Sequence, residues 1–166
     1  MARKQNRRKA SPAAAIFTVL VLAALFVWRM LGSPEDGKTQ ITLPNGELHV
    51  WFLDVGQADS SLLVCDGQAM LIDGGNVDDA SYVVASLEQH GVTSLDYVIN
   101  THCDEDHVGG LAGVLAKFPA EHVWSSTAEY GTKAFSNFVK YANEQGRAIE
   151  IPSPGDTFTL GEAEIT

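Results

Sequence analysis

Cysteine is scarce in this chain, since Cys65 and Cys103 are the only two among its 166 residues. So small a number excludes a multi-disulfide framework and a zinc site built from four thiolates. Cys65 falls in an apolar stretch, which favours a buried free thiol, and the Cys103 side chain is expected to point away from its polar neighbours. One disulfide between them is the alternative, because number alone does not decide pairing.

Positive charge is also scarce once the first 32 residues have passed. Residues 33–166 carry five Lys and Arg against all 21 Asp and Glu, a formal charge of −16. Affinity for nucleic acid rests on basic side chains that neutralise phosphates. The acidic surface therefore disfavours tight non-specific binding of nucleic acid, without excluding nucleic acid as a substrate.

Charge of either sign is absent from residues 10–28, which are mostly Ala, Val, Leu, Ile and Phe. This length approaches the ~20 residues of a membrane-spanning helix, and the five basic residues before it favour a cytoplasmic N-terminus. We predict a basic cytoplasmic tip over 1–9, a transmembrane anchor over 10–32, and a single-pass protein of the cell membrane whose remainder is extracytoplasmic. Secretion after signal cleavage is the alternative, although the apolar run exceeds a typical signal core of about 7–15 residues and no Ala-x-Ala follows it.

A linker and one globular unit are predicted to follow. Residues 33–46 contain Pro34, Gly37, Pro44 and Gly46 among polar residues, a composition typical of a linker. Within residues 47–166, strands are predicted near 50–55 and at 61–65, 69–72, 96–100 and 122–125. Helices are predicted at 79–90, 110–118 and 132–144, with strand and turn from 152 to 166. Hairpins followed by alternating helices and strands are typical of an α/β fold.

The most informative segment follows the strand predicted at 96–100 and reads Thr101-His102-Cys103-Asp104-Glu105-Asp106-His107, with Gly109-Gly110 behind it. Imidazole nitrogen and carboxylate oxygen suit zinc, and also manganese or iron. A tight loop at a strand end can turn His102, Asp104, Asp106 and His107 toward one point. We predict that these four side chains bind divalent metal, the alternative being a merely solvated acidic loop.

Three motifs, in this order along the chain, give it a family resemblance. They are Asp54-Val55-Gly56-Gln57-Ala58-Asp59-Ser60, Leu71-Ile72-Asp73-Gly74-Gly75 and Thr101-His102-x-Asp104-x-Asp106-His107-x-Gly109-Gly110. In them the chain resembles the metallo-β-lactamase fold hydrolases, and among these the hydrolase domain of the ComEC-like competence proteins. The resemblance covers about residues 48–166. Asp104 departs from the His of the broader superfamily, and Ala58 departs from the usual Gly of the ComEC-like pattern.

The resemblance implies one half of an αββα metallo-β-lactamase sandwich over residues 47–166, behind the N-terminal transmembrane helix. The family completes its metal site with two His and a bridging Asp from the second half of the fold. No His follows His122 here. We therefore expect an incomplete copy of the domain.

The resemblance also implies a cofactor, two zinc ions with manganese as the alternative. His102 and Asp104 would bind the first ion, while Asp106 and His107 would bind the second. Asp106 is in addition the expected catalytic residue, because its carboxylate can orient the attacking water.

Two further carboxylates are expected near this site. Asp73 ends an apolar strand, where a carboxylate without partners is costly, and the resemblance implies that it holds a ligand imidazole by its second nitrogen. A simple turn before Gly74-Gly75 is the alternative for Asp73. Asp59, in the first motif, is expected to line the pocket.

The function predicted is that of a membrane-anchored, extracytoplasmic, metal-dependent hydrolase. Two ions favour phosphodiester cleavage, including that of nucleic acid, but ester, lactone and amide substrates fit the same apparatus. Two other classes remain open: a catalytically silent binding module or non-functional fragment of such a hydrolase, and a diiron redox protein. The diiron relatives favour Glu where Asp104 stands.

Overall fold

The computed structural model describes residues 43–166. The tip predicted at 1–9, the anchor predicted at 10–32 and the linker up to residue 42 lie outside the described residues. Among residues 43–166, none of the helices has both the length and the apolarity needed to cross a bilayer.

One five-stranded mixed sheet forms the centre of the domain. Its strands are β1 (His49–Phe52), β2 (Ser61–Cys65), β3 (Gln68–Ile72), β4 (Leu95–Asn100) and β5 (Ala120–Ser125), and they lie side by side in chain order. The first three pair antiparallel, whereas β3–β4 and β4–β5 pair parallel. The parallel pairs require crossovers, which the helices supply.

Helices cover one face of this sheet. They are α1 (Ala80–Gln89), which follows a short 3₁₀ turn at Val77–Asp79, α2 (Glu105–Val108), α3 (Leu111–Lys117) and α4 (Lys133–Glu144). A row of fully buried side chains crosses four neighbouring strands beneath them: Leu62, Leu71, Val98 and Val123. Phe135 and Phe138 of α4 are also buried in this core, as their helical spacing predicted. Burial of such side chains, worth about 1.5–3 kcal/mol each, holds the helices on the sheet.

The opposite face of the sheet carries a two-stranded hairpin, β6 (Phe158–Leu160) and β7 (Ala163–Ile165). Leu160 is fully buried against Leu63, Cys65 and Met70. The fold is therefore an α/β arrangement with helices on one side of a mixed sheet and strands on the other. The two cysteines are free and both are buried, Cys65 in this second cluster and Cys103 in the helix-side core.

An aspartate in the β2–β3 turn joins three parts of the domain. The Asp66 carboxylate accepts hydrogen bonds from the backbone N–H of Gly46 at 2.7 Å and of Glu162 at 3.0 Å. These two donors favour the charged form and hold the pKa of Asp66 below its usual value. The turn thereby links the chain before β1 to the β6–β7 hairpin.

The elements predicted within residues 43–166 are confirmed, with shifts of at most three residues at their ends. Two short elements were not predicted, the 3₁₀ turn at Val77–Asp79 and the single helical turn α2, which lies in the segment treated as a tight loop. Four residues are too few to show a hydrophobic period.

Candidate metal centre

The predicted metal loop begins where β4 ends and continues into α2. Asp104 is the N-cap of α2, and its carbonyl accepts the backbone N–H groups of His107 and Val108 at 3.1 and 3.0 Å. Helical geometry in this turn places Asp106 and His107 near the strand end that carries His102. The loop is thus shaped by a helix start rather than by an irregular turn.

His107 is fixed through one of its ring nitrogens. Its Nδ1 lies 2.8 Å from Oδ2 of Asp73, and the imidazole is only 14% exposed. A carboxylate accepts the proton of Nδ1–H, so the lone pair of the neutral ring resides on Nε2. That nitrogen lies 3.6 Å from Oδ2 of Asp59 and 3.9 Å from Oδ2 of Asp106. This arrangement leaves Nε2 of His107 as the nitrogen that can bind a metal ion.

Asp73 is nearly inaccessible to solvent, yet its carboxylate accepts three hydrogen bonds. Besides His107, it accepts the backbone N–H of Thr101 at 2.8 Å and the Thr101 hydroxyl at 2.6 Å. Its φ of +59° is left-handed, a region that Asp tolerates better than most residues. Three donors compensate the burial of this charge. The contact with His107 is the one predicted for Asp73, whereas its role toward a bound metal stays a prediction.

Three of the four predicted ligands converge. Three donor atoms, one from each of His102, Asp106 and His107, lie within 4.8 Å of one another. The centroids of the two imidazole rings are 3.7 Å apart. Two imidazoles and a carboxylate form a donor set that zinc and manganese accept. The residues present therefore fit a divalent cation. His102 is exposed and Asp106 is partly exposed, which leaves the site open to solvent.

Asp104 stands apart from that group of three. Its Oδ2 lies 3.7 Å from Nε2 of His102, and its side chain is 65% exposed. Its other oxygen, Oδ1, lies 3.5 Å from the hydroxyl of Tyr130 in the loop between β5 and α4. No motif in the sequence pointed to Tyr130, because it lies 26 residues away along the chain.

Asp59 reaches the site from the loop between β1 and β2. Its backbone N–H donates to the Asp106 carbonyl at 3.1 Å, and its carbonyl accepts the N–H of Gly75 at 2.9 Å. Its exposed carboxylate lies 3.6 Å from Nε2 of His107. This position at the edge of the site is compatible with the pocket-lining role predicted for Asp59, which stays a prediction.

The paired glycines in the second and third motifs allow the two loops to touch. The N–H of Gly74 donates to the His107 carbonyl at 2.7 Å, and the N–H of Gly110 donates to the Gly75 carbonyl at 3.0 Å. A Cβ at Gly110 would lie 2.0 Å from the Gly74 carbonyl oxygen. Only glycine permits so close an approach of two backbones. This contact keeps Asp73 within reach of His107.

Comparison with known proteins gives a family and several relatives. The model of the metallo-beta-lactamase superfamily matches residues 53–166. Recombination protein 2 of Haemophilus influenzae is 30% identical over 119 residues, which are 66% of this chain and 15% of that protein. Competence protein ComA of Neisseria gonorrhoeae is 32% identical over 115 residues, 69% of this chain and 15% of that protein. The chain thus spans about 15% of the length of these curated relatives.

Solved structures share the fold. The chemotaxis sensor ODP, captured as a peroxy diiron species, superposes with a TM-score of 0.52 at 24% identity, covering 71% of this chain and 47% of that one. MEM-A1, a subclass B3 metallo-beta-lactamase from a soil metagenome library, gives a TM-score of 0.52 at 18% identity, covering 75% and 51%. At these identities the likeness concerns the fold alone.

Proposed function

Because the chain belongs to the metallo-β-lactamase superfamily, we propose that it is a metal-dependent hydrolase whose active site is the loop from His102 to His107. Members of this superfamily are generally hydrolases. The observation that carries the proposal is the way His107 is held. Asp73 fixes its Nδ1, and its Nε2 faces the region where His102 and Asp106 also place a donor.

Four side chains would hold the metal, as the resemblance implies. His102 and Asp104 would bind one cation, and Asp106 and His107 a second, with zinc the expected metal and manganese the alternative. When bound, the cations would polarise the attacked centre and favour ionisation of the attacking water. Asp106, partly exposed at the centre of the site, would orient that water by accepting its proton in a hydrogen bond. Asp73 would keep His107 in the tautomer that carries its proton on Nδ1.

We further propose a phosphodiester, including that of nucleic acid, as the substrate class. Two of the curated relatives are named for recombination and for competence. The −16 charge of residues 33–166 works against phosphate binding, and cations in the site would offset part of it. The proposal also places this domain on the extracytoplasmic side of a membrane anchor, on the strength of residues 10–28.

Hydrolysis assays on the full chain test this function. We expect the zinc- or manganese-loaded protein to cleave a phosphodiester such as bis(p-nitrophenyl) phosphate. His107→Ala should lose about 100-fold of that rate, the upper end of what loss of an outer partner of a metal ligand typically costs. His122→Ala is the matched control, since His122 pairs with Glu150 at 3.1 Å, outside the metal loop. Equal rates for both variants, or no turnover by the wild-type protein, would refute the proposal.

A metal-binding module without turnover is the second candidate. Among residues 43–166, only three donors converge on one point, and Asp104 stands outside them. This candidate predicts that the protein retains zinc yet hydrolyses neither phosphodiesters nor esters, an outcome that the same assays would show.

A further inference from the structure

We propose that Tyr130 is a positioning residue for Asp104, and that its phenol holds this carboxylate in place to bind metal. The inference rests on the proposed function, in which Asp104 is a ligand. Asp104 occupies the position where the broader superfamily has His. An exposed carboxylate is held by fewer contacts than the ring of His107, so it needs a partner to fix its orientation.

The contacts of Asp104 divide between its two oxygens. Oδ1 faces the Tyr130 hydroxyl at 3.5 Å, whereas Oδ2 faces Nε2 of His102 at 3.7 Å. A phenol that donates to Oδ1 leaves Oδ2 free on the side of the imidazole. The 3.5 Å separation exceeds that of most O–H···O bonds, and rotation about the broad terminal torsion of Asp104 can shorten it.

The loop that carries Tyr130 is braced locally. The Thr127 hydroxyl donates to the Glu129 carbonyl at 3.1 Å and accepts the Glu129 N–H at 3.3 Å. The Tyr130 ring meets the buried ring of Phe135 edge-on, with centroids 6.1 Å apart. The aromatic contact anchors the ring and leaves the hydroxyl directed at Asp104.

A buried polar link sets the distance between the two loops. Asn100 and Ser125 are register partners at the ends of β4 and β5, and both are almost fully buried. The Asn100 amide donates to the Ser125 hydroxyl at 3.0 Å, and that hydroxyl also accepts the N–H of Thr127 at 3.4 Å. The loops that bear Asp104 and Tyr130 therefore leave the sheet from strand ends tied to each other.

Partners of ligating carboxylates are typically worth 10–100-fold in metal affinity. We expect Tyr130→Phe, which keeps the ring against Phe135, to weaken zinc binding about tenfold in chelator competition. The thermal unfolding of the metal-free protein should not change, because the lost hydroxyl is exposed. Tyr82→Phe is the matched control, since Tyr82 on α1 and Tyr130 are both 46% exposed.

A double-mutant cycle separates positioning from a general effect. In the Asp104→Asn background, Tyr130→Phe should cost little further zinc affinity, because the carboxylate it positions is gone. The visible spectrum of the cobalt-loaded protein should change with Tyr130→Phe and not with Tyr82→Phe. Two results would overturn this inference alone, provided that the wild-type protein binds zinc and hydrolyses the phosphodiester. One is that Tyr130→Phe binds zinc as Tyr82→Phe does. The other is that Tyr130→Phe lowers zinc affinity equally in the wild-type and Asp104→Asn backgrounds. If the wild-type protein binds no zinc, the inference and the proposed function are both overturned.

Discussion

The buried carboxylate of Asp73 offers a sharp test of how His107 is prepared for metal. In Asp73→Asn the side chain keeps its shape. Its remaining oxygen can still accept the Thr101 N–H, which lies 2.8 Å from Oδ1 in the wild-type protein. The new amide nitrogen would face His107 Nδ1 and can only donate. The imidazole must then accept at Nδ1 and carry its proton on Nε2, where no lone pair remains for a metal.

The expected magnitude follows from this change of tautomer. Loss of such a partner typically lowers metal affinity 10–100-fold, or about 1.4–2.7 kcal/mol. The metal-free protein should also lose stability, on the order of 1.5–3 kcal/mol, because a hydrogen bond to a buried charged group is lost. Thr101→Val removes the hydroxyl that donates to Asp73 at 2.6 Å and lies 3.2 Å from Nδ1 of His102. It leaves the contact between Asp73 and His107 intact, so it should lower zinc affinity less than Asp73→Asn does.

Zinc affinity by chelator competition and urea unfolding of the metal-free protein are the assays. Asp78→Asn is the control for loss of one negative charge, since Asp78 is exposed and lies outside the site. Should Asp73→Asn remain folded and bind zinc as tightly as the Asp78→Asn control, the proposed role of Asp73 is wrong.

Two further predictions concern the framework around the site. Gly110→Ala places a Cβ 2.0 Å from the Gly74 carbonyl oxygen, so we expect a loss of about 1–3 kcal/mol or more in unfolding free energy together with weaker zinc binding. Gly131→Ala, where a Cβ meets nothing within 4 Å, should be neutral, and equal stability of the two variants would contradict the close contact. Asp66→Asn tests the lowered pKa of Asp66, whose stabilising contribution is present at neutral pH and is lost as the pH falls through the folded-state pKa. The variant should therefore be less stable than the wild type at pH 7. The difference should begin to shrink near the usual aspartate pKa of about 4 and vanish below the lowered folded-state pKa, and a pH-independent difference in chemical denaturation would contradict this.

The regular elements could be predicted because each shows its period in the sequence. Phe135 and Phe138 recur at helical spacing and are buried, and the short apolar runs at 61–65 and 69–72 are strands that pair as a hairpin. The strand before Thr101 fixed where the candidate metal loop would leave the sheet. At these positions the hydrophobic period of the sequence coincides with burial in the folded protein.

Other parts of the site depend on contacts between distant segments. Tyr130 lies near Asp104 in a loop that follows the strand end at Ser125, beside the strand end at Asn100, and no local pattern in the sequence gives that contact. The left-handed backbone of Asp73 likewise shows no signal in the hydrophobic period of its strand. Asp104 contacts His102 but does not join the three converging donors, an outcome that motif spacing does not determine.

Metal binding by the purified wild-type protein tests the central claim most directly. Equilibrium dialysis against zinc, followed by elemental analysis, should find retained zinc in the wild-type protein and at most a trace in the double variant His102→Ala/His107→Ala. His90→Ala/His122→Ala is the control of equal histidine count and should retain zinc as the wild type does. Absence of zinc from the wild-type protein, or equal retention by both double variants, would contradict a metal centre at this loop.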